Sequence, residues 1–139
     1  MSMLNNMKLE IPATSINESF ARATVAAFAA QLNPTIDQIN DIKTAVSEAV
    51  TNCVVHANTK IITIECELDS HGLLVRVIDK GKGIKDVDAA MQPFVTTQAD
   101  QERSGMGFTV MQSFMDNLNV ESALNKGTTV TMQKFLKAV

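Results

Sequence analysis

The hydrophobic positions of residues 35–56 recur at the spacing of an α-helix. Glu48 and Asn52 lie four residues apart on the polar side of this predicted helix, so they are neighbours one turn from each other. The apolar side, at about 100° per residue, carries Ile39, Ile42, Val46, Ala49, Val50 and Cys53. The pattern predicts a helix with one face in the core. The other face is available either for chemistry or simply for contact with solvent.

A second helix is predicted over residues 15–31. Ser15 and Glu18 have the spacing of a capping box, and Thr35 and Gln38 have the same spacing at the start of the longer helix. In a capping box, each of the two side chains bonds a backbone N–H group of the first turn. Both helices are therefore predicted to begin at a side-chain cap.

Five further segments are predicted to be β-strands, and apolar residues alternate most clearly in the second and third of them. The first segment ends at a proline and suits an edge strand. Turn residues join the second segment to the third and the fourth to the fifth, so two hairpins are predicted and the sheet is at least partly antiparallel. The five segments are 7–11, 60–68, 73–79, 118–124 and 128–135.

An acidic residue and two glycines, Asp79, Gly81 and Gly83, follow the third of these segments. Glycine permits positive φ angles and a close approach of the backbone, so this stretch is suited to holding a flat polar ligand. The alternative interpretation is an ordinary surface turn.

Residues 86–104 show no sustained periodicity, which predicts a short helix near 87–91 and then a lid. The lid ends at Gly105 and Gly107, immediately before another helical repeat of apolar residues. A helix that begins at such a turn offers free backbone N–H groups and the positive end of its dipole, which suit a phosphate group. A Gly-x-Gly pair alone does not distinguish this use from a simple turn.

Composition and charge narrow the possible functions. The chain has 139 residues, of which 45% are hydrophobic and 19% charged, so a single globular domain over 1–139 is predicted. A formal net charge of −3 and the lack of a Lys/Arg cluster argue against direct binding of nucleic acid. No signal sequence or membrane-spanning run is recognisable, so we expect a cytoplasmic protein without a membrane partner. Cys53 and Cys66 are expected to be buried, reduced thiols.

Four features follow one another in a fixed order along the chain. They are Glu48 with Asn52, then Asp79-x-Gly-x-Gly, then Gly105-x-Gly, and finally Thr128 at the start of the last strand. In this order they resemble the nucleotide site of the GHKL ATPases, a superfamily that includes gyrase, heat-shock chaperone, histidine kinase and mismatch-repair ATPase domains. The ordered set is far more specific than any one of its members.

The resemblance is closer still to the bacterial anti-sigma factor serine kinases, in particular those of sporulation. It extends over nearly the whole chain and is carried by the segments 17–22, 46–52, 103–108 and 125–130. The resemblance implies an α/β fold, a two-layer sandwich of helices on one face of a mixed, mainly antiparallel sheet. It also implies a homodimer that binds ATP and Mg²⁺, holds a sporulation sigma factor, and phosphorylates a serine of an anti-anti-sigma factor.

The same resemblance implies roles for individual residues at the adenine end of the nucleotide. Asp79 would accept a hydrogen bond from the adenine amino group, with Gly81 and Gly83 beside it. Thr128 would support the same contact.

At the phosphate end, the resemblance implies that Asn52 ligates Mg²⁺ and that Glu48 takes the proton from the attacking serine. Arg103 would contact the γ-phosphate. Arg22, which taken alone is an ordinary solvated arginine, matches a position used in partner binding. The backbone N–H groups that would face the phosphates belong to Ser104, Gly105, Met106, Gly107 and Phe108.

Two departures from the family pattern leave alternatives open. The connection 57–60 is shorter than expected for relatives, and Gln98 stands where many related lids carry a lysine. The changed lid keeps open a nucleotide-gated anti-sigma module with little kinase activity. A further alternative is the general-stress anti-sigma kinase of the same family, because the sporulation context rests wholly on resemblance. The detached ATPase domain of a histidine kinase is disfavoured, because we see no room for a phosphoacceptor helix ahead of this domain.

Overall fold

The computed structural model describes residues 3–92 and 107–136. The strands in these ranges are β1 (Met3–Pro12), β2 (Ile61–Asp69), β3 (Gly72–Asp79), β4 (Asn117–Ala123) and β5 (Gly127–Phe135). The α-helices are α1 (Ile16–Ala29), α2 (Ile36–Val55), α3 (Val87–Ala90) and α4 (Gly107–Phe114). A 3₁₀ turn, Ala30–Leu32, continues α1.

The strands form one sheet in the order β1-β2-β3-β5-β4, and every neighbouring pair in the described ranges is antiparallel. Both predicted hairpins, β2–β3 and β4–β5, are present. β1 lies at an edge as predicted, although it begins at Met3 rather than near residue 7. The predicted α/β fold with a mainly antiparallel sheet is confirmed.

The core lies between the sheet and the layer formed by α1, α2 and α4. Its sheet side is a row of residues in cross-strand register: Cys66 pairs with Val75, and Val75 pairs with Met132. All three are fully buried, as are Val46 and Val50 on the apolar face of α2. Burying one such aliphatic side chain contributes roughly 1.5–3 kcal/mol to the free energy of unfolding. Packing between these residues of the sheet and of α2 therefore fixes α2 on the sheet.

The opposite face of the sheet is partly exposed and carries the charged residues of β2 and β3. Arg76 of β3 donates to Glu67 of β2 at 2.9 Å and lies 3.6 Å from Glu65 of the same strand. These side chains remain about one-third exposed. The alternation of apolar and polar residues in β2 and β3 therefore corresponds to a sheet with one face in the core, which the period of two predicted.

One of the two predicted capping boxes is confirmed. At the start of α2, Thr35 Oγ1 accepts from the Gln38 N–H at 3.1 Å, and the Gln38 side chain accepts from the Thr35 N–H at 2.9 Å. At the start of α1, Ser15 has helical angles (φ −60°, ψ −28°) and its side chain makes no cap bond, so this prediction is wrong. An N-cap residue needs extended angles to turn its oxygen toward the first turn, and Ser15 does not have them.

The remaining elements agree with the pattern of the sequence. The short helix α3 lies where one was expected, and α2 ends at Val55, with His56 as its C-cap residue. Cys53 and Cys66 are both free and buried. Among the described helices, none combines the length and the apolar character needed to cross a bilayer.

Candidate functional site

The polar face of α2 forms the centre of the site. Glu48 and Asn52 are both half-buried, whereas the residues between and beyond them on the other face, Ala49, Val50 and Cys53, are buried. The helix therefore has the two faces that its sequence predicts. The Thr35 cap and the packing of the apolar face fix the helix, and so fix the backbone positions of the two polar residues.

The start of α4 lies against the Asn52 carboxamide. A Cβ atom added at Gly107, the first residue of α4, would lie 3.3 Å from Oδ1 and 3.4 Å from Nδ2 of Asn52. Phe108 and Met111 hold α4 in this position, because their side chains are buried in the core beside α2. The site thus brings an amide oxygen, a ligand for hard metal ions, next to the first N–H groups of a helix, which have no partner within that helix.

A buried carboxylate lies at the end of β3. Asp79 is 6% exposed, and its Oδ1 accepts a hydrogen bond from the Gly81 N–H at 2.9 Å. The Cys53 thiol of α2 lies 3.6 Å from Oδ2. Burial, and then the charge and the hydrogen bond of Asp79, raise the pKa of the Cys53 thiol far above its ordinary value. Asp79 is therefore a fixed, buried acceptor next to a thiol that stays protonated.

Backbone hydrogen bonds hold the loop after Asp79 against two other parts of the chain. Lys82 donates its N–H to the Ala57 carbonyl at 2.7 Å, and its own carbonyl accepts from the Asn125 N–H at 2.7 Å. Only glycine fits on either side of Lys82. A Cβ at Gly81 would lie 1.9 Å from the Ala57 carbonyl oxygen, and Gly83 has φ +74°. Ala57 belongs to the short 57–60 connection, so that connection directly supports this loop.

Thr128 lies opposite Asp79 in the β3–β5 register and is 8% exposed. Its hydroxyl lies 2.7 Å from the Ser122 hydroxyl of β4. Ser122 also accepts from the Ile84 N–H at 2.7 Å and donates to the Gly127 carbonyl at 2.9 Å. It therefore joins the loop after β3 to the start of β5.

Sequence reasoning did not single out Ser122. One signal for it was available, because the turn at 125–127 sets the register of the last hairpin and places Ser122 directly opposite Thr128. The contact with Ile84, 38 residues away, has no local signal in the sequence.

Arg22 lies on the Glu48 side of the site. Its Nη1 donates to the Ser47 hydroxyl at 3.1 Å, and the residue is half-buried, so it is not a freely solvated arginine. A groove of about 340 Å³ opens here, between α1 and α2. Its lining residues are Arg22, Asn40, Lys43, Thr44, Ser47 and Glu48. A polar chain segment in this groove would contact two cations and the Glu48 carboxylate.

The structure thus brings together residues from four of the predicted features. Asn52 and Gly107 meet directly, and Cys53, next to Asn52, reaches Asp79, whose strand partner is Thr128. The other predicted site residues lie outside the described ranges, as does Gln98 of the lid. They are Arg103, Ser104, Gly105 and Met106.

Comparison with known proteins places this chain in a family. The sequence profile of the histidine kinase-like ATPase domain matches residues 11–134. An anti-sigma F factor from Caldanaerobacter subterraneus subsp. tengcongensis is 58% identical over 139 residues, covering 98% of this chain and 97% of the relative. One from Thermoanaerobacter sp. (strain X514) is 56% identical with the same coverage.

Solved structures agree with the fold. The RsbU and RsbW domains of a Mycobacterium tuberculosis protein superpose with a TM-score of 0.66 at 18% identity, covering 97% of this chain and 33% of that one. A histidine kinase domain from Erythrobacter litoralis superposes with a TM-score of 0.53 at 19% identity, covering 95% of this chain and 68% of that one. At these identities the similarity concerns the fold alone.

Proposed function

The chain belongs to the histidine kinase-like ATPase domains and, among them, to the anti-sigma F factors, and we propose that it is an anti-sigma factor with ATP-dependent serine kinase activity. In this proposal it binds and inhibits a sporulation sigma factor. It also phosphorylates, and thereby inactivates, an anti-anti-sigma factor. The observation that carries the proposal is the start of α4 lying against Asn52, one helical turn from Glu48.

The base end of the site has the features that an adenine ring requires. Asp79 supplies a buried acceptor for the exocyclic amino group, and Thr128 supplies a hydroxyl on the neighbouring strand. Gly81 and Gly83 let the loop pack closely against the backbone at Ala57 and Ala123, which fixes the loop beside Asp79. Adenine binding at this end is therefore supported by a buried, fixed acceptor rather than by a flexible surface carboxylate.

The phosphate end fits a magnesium nucleotide. Mg²⁺ is usually held by substrate phosphates and one or two protein oxygens, and Asn52 Oδ1 is such an oxygen. When bound, Mg²⁺ would neutralise part of the negative charge of the phosphates. The N–H groups of Gly107 and Phe108, at the start of α4, supply donors for phosphate oxygens. By family resemblance, Ser104, Gly105 and Met106 extend this set of donors.

Glu48 is the proposed general base. In phosphoryl transfer, the serine oxygen forms a bond to the γ-phosphorus, the bond from that phosphorus to the ADP oxygen breaks, and the serine proton passes to Glu48. Most of the rate acceleration comes from holding the serine oxygen and the leaving ADP oxygen in line with the γ-phosphorus. A base beside the phosphate site is the further part that a kinase needs. Arg103 would stabilise the charge on the transferred group. The groove beside Glu48 gives a protein substrate a path to it.

Partner binding completes the proposal. Arg22 lines the groove next to Glu48, where a contact with a bound partner would also align the acceptor serine. Residues 1–139 would act as one domain within a homodimer. A sigma factor and its antagonist as partners would place the activity in the cytoplasm, without direct contact to nucleic acid or membrane.

One incubation tests this proposal. The protein is mixed with γ-labelled ATP, a sporulation sigma factor and a candidate anti-anti-sigma factor, and both label transfer and complex formation are followed. The proposal requires label on a serine of the anti-anti-sigma factor and an ATP-dependent complex with the sigma factor. An ATP-dependent complex without any label would instead support the nucleotide-gated module, for which Glu48 would have no catalytic use.

A further inference from the structure

A buried thiol of α2 connects the two ends of the proposed nucleotide site. Asn52 lies on the site face of α2, and the next residue, Cys53, lies on the core face and is 4% exposed. The Cys53 Sγ lies 3.6 Å from Oδ2 of Asp79, within hydrogen-bond range for sulfur. Two consecutive residues of one helix therefore reach the metal end and the base end of the site.

The Asp79 carboxylate is held at both of its oxygens. The Gly81 N–H bonds Oδ1 at 2.9 Å, and the Cys53 S–H bonds Oδ2. The torsion that rotates an aspartate carboxylate is soft, with no sharp staggered minimum, so a single donor does not fix its plane. Two donors on opposite oxygens do fix it. Each oxygen still has a second lone pair with which it can accept from a ligand.

The thiol is the donor in this contact. An ionised carboxylate has only acceptor oxygens, whereas a neutral thiol has one weak S–H donor. The distance of 3.6 Å from Sγ to Oδ2 therefore corresponds to an S–H group that points at the carboxylate.

We infer that Cys53 is a positioning residue for base selection, because its thiol holds the Asp79 carboxylate in the orientation that accepts from the amino group of a 6-aminopurine. This inference rests on the proposed function, since it requires that the base lies at Asp79. A 6-oxopurine presents a carbonyl oxygen at the same place, and two acceptors then face each other without a proton between them. A carboxylate that is free to rotate relieves part of that penalty, so loss of the thiol lowers the preference for ATP over ITP.

The test measures the ratio of the ITP and ATP dissociation constants by calorimetry in the presence of Mg²⁺. We expect Cys53→Ala to lower this ratio by roughly threefold to tenfold, the effect of one modest hydrogen bond. Cys53→Ser leaves a similar volume but restores an O–H donor, and should return the ratio most of the way to that of the wild type. Cys66→Ala is the matched control, because it removes a second fully buried thiol, from β2, and should leave the ratio unchanged.

The ratio separates positioning from general loosening of the fold. If Cys53 had only a structural role, its loss would weaken the binding of ATP and of ITP equally, and the ratio of the two dissociation constants would not change. An unchanged ratio in Cys53→Ala, a serine variant no better than alanine, or an equal fall in Cys66→Ala would each overturn the inference.

A parallel variant, Asp79→Asn, tests the proposed function separately, since an amide can also donate to a 6-oxopurine. If this variant keeps the wild-type ratio, the base does not lie at Asp79, and the proposed function fails at that point. If Asp79→Asn abolishes the preference while Cys53→Ala retains it, only the inference about Cys53 is wrong.

Discussion

Gly107 lies so close to Asn52 that a methyl group on Gly107 would contact the Asn52 carboxamide, at 3.3 Å from Oδ1 and 3.4 Å from Nδ2. The two residues lie 55 positions apart in the sequence and belong to α4 and α2. The contact places the proposed metal ligand next to the proposed phosphate donors. A substitution at Gly107 therefore tests the geometry of the proposed site directly.

Gly107→Ala should weaken Mg-ATP binding without lowering stability. The new methyl group displaces the carboxamide by a few tenths of an ångström, and impairing one ligand in this way costs about 0.7–1.4 kcal/mol, or threefold to tenfold in affinity. Alanine is a better helix former than glycine, so the unfolding free energy should stay the same or rise. Calorimetry and urea unfolding measure the two quantities. Gln112→Ala, at an exposed position of the same helix, should change neither.

Ser122→Ala should destabilise the fold and weaken ATP binding together. The substitution removes a group that bonds Ile84, Gly127 and Thr128, and leaves the half-buried Ile84 N–H without its partner. An unsatisfied donor of this kind costs about 1–3 kcal/mol. Urea unfolding and nucleotide titration check the result. Ser113→Ala, which removes an exposed hydroxyl of α4, should lower the unfolding free energy by less than about 0.5 kcal/mol. An equal loss of unfolding free energy in both variants would contradict the bridging role of Ser122.

The hydrogen bond from Thr51 Oγ1 to Glu18 Oε1, at 2.5 Å, should couple α1 to α2 measurably. Hydrogen bonds to charged groups contribute about 1.5–3 kcal/mol, and Thr51 is only 5% exposed. A double-mutant cycle with Thr51→Val and Glu18→Ala, followed by urea unfolding, should therefore give a coupling energy of at least about 1 kcal/mol. The side chains of Asn5 and Gln31 are 3.0 Å apart on the surface, and a control cycle on this exposed pair should give almost no coupling energy.

Stability should fall above pH 9 because of the two buried thiols. Burial raises the pKa of Cys66 from 9.0 to about 12, and that of Cys53 also lies above its ordinary value. The unfolded chain loses these protons near pH 9 while the folded chain retains them, so the unfolding free energy falls as the pH rises. Each thiol contributes a slope that approaches about 1.4 kcal/mol per pH unit.

Urea unfolding at pH 8, 9 and 10 measures this slope. Cys66→Ala removes the contribution of one thiol and should flatten the dependence accordingly. Identical slopes for this variant and the wild type would show that Cys66 ionises equally readily in the folded state.

The sequence predicted those parts of the structure that depend on local periodicity. The apolar spacing of α2 identified the face that carries Glu48 and Asn52, because a helix with one buried side repeats every 3.6 residues. The alternation in β2 and β3 likewise identified the hairpin that ends at Asp79. At these positions, the local preference and the tertiary fold favour the same structure.

Spacing alone failed where a side chain has a distant partner. Ser15 and Glu18 have the spacing of a capping box, but the Glu18 carboxylate bonds Thr51, 33 residues away, and Ser15 adopts helical angles instead. Ser122 is one polar residue in a strand, and its bond to Ile84 arises only after β3 and β4 are placed in one sheet. Neither partner could be identified from the neighbouring sequence.

The most direct test of the proposed kinase is single-turnover phosphorylation by Glu48→Gln, which keeps the size of the side chain but removes its basicity. The enzyme is supplied in excess over labelled ATP, with the anti-anti-sigma factor at a saturating concentration, so that each ATP molecule is used once. Glu10→Gln, at an exposed position on β1, is the matched control. General-base catalysis contributes about 10²–10⁴-fold, so the variant should bind ATP and the sigma factor normally while serine phosphorylation falls by at least about a hundredfold. Transfer at the wild-type rate would contradict the central claim, because Glu48 would then have no part in accepting the serine proton.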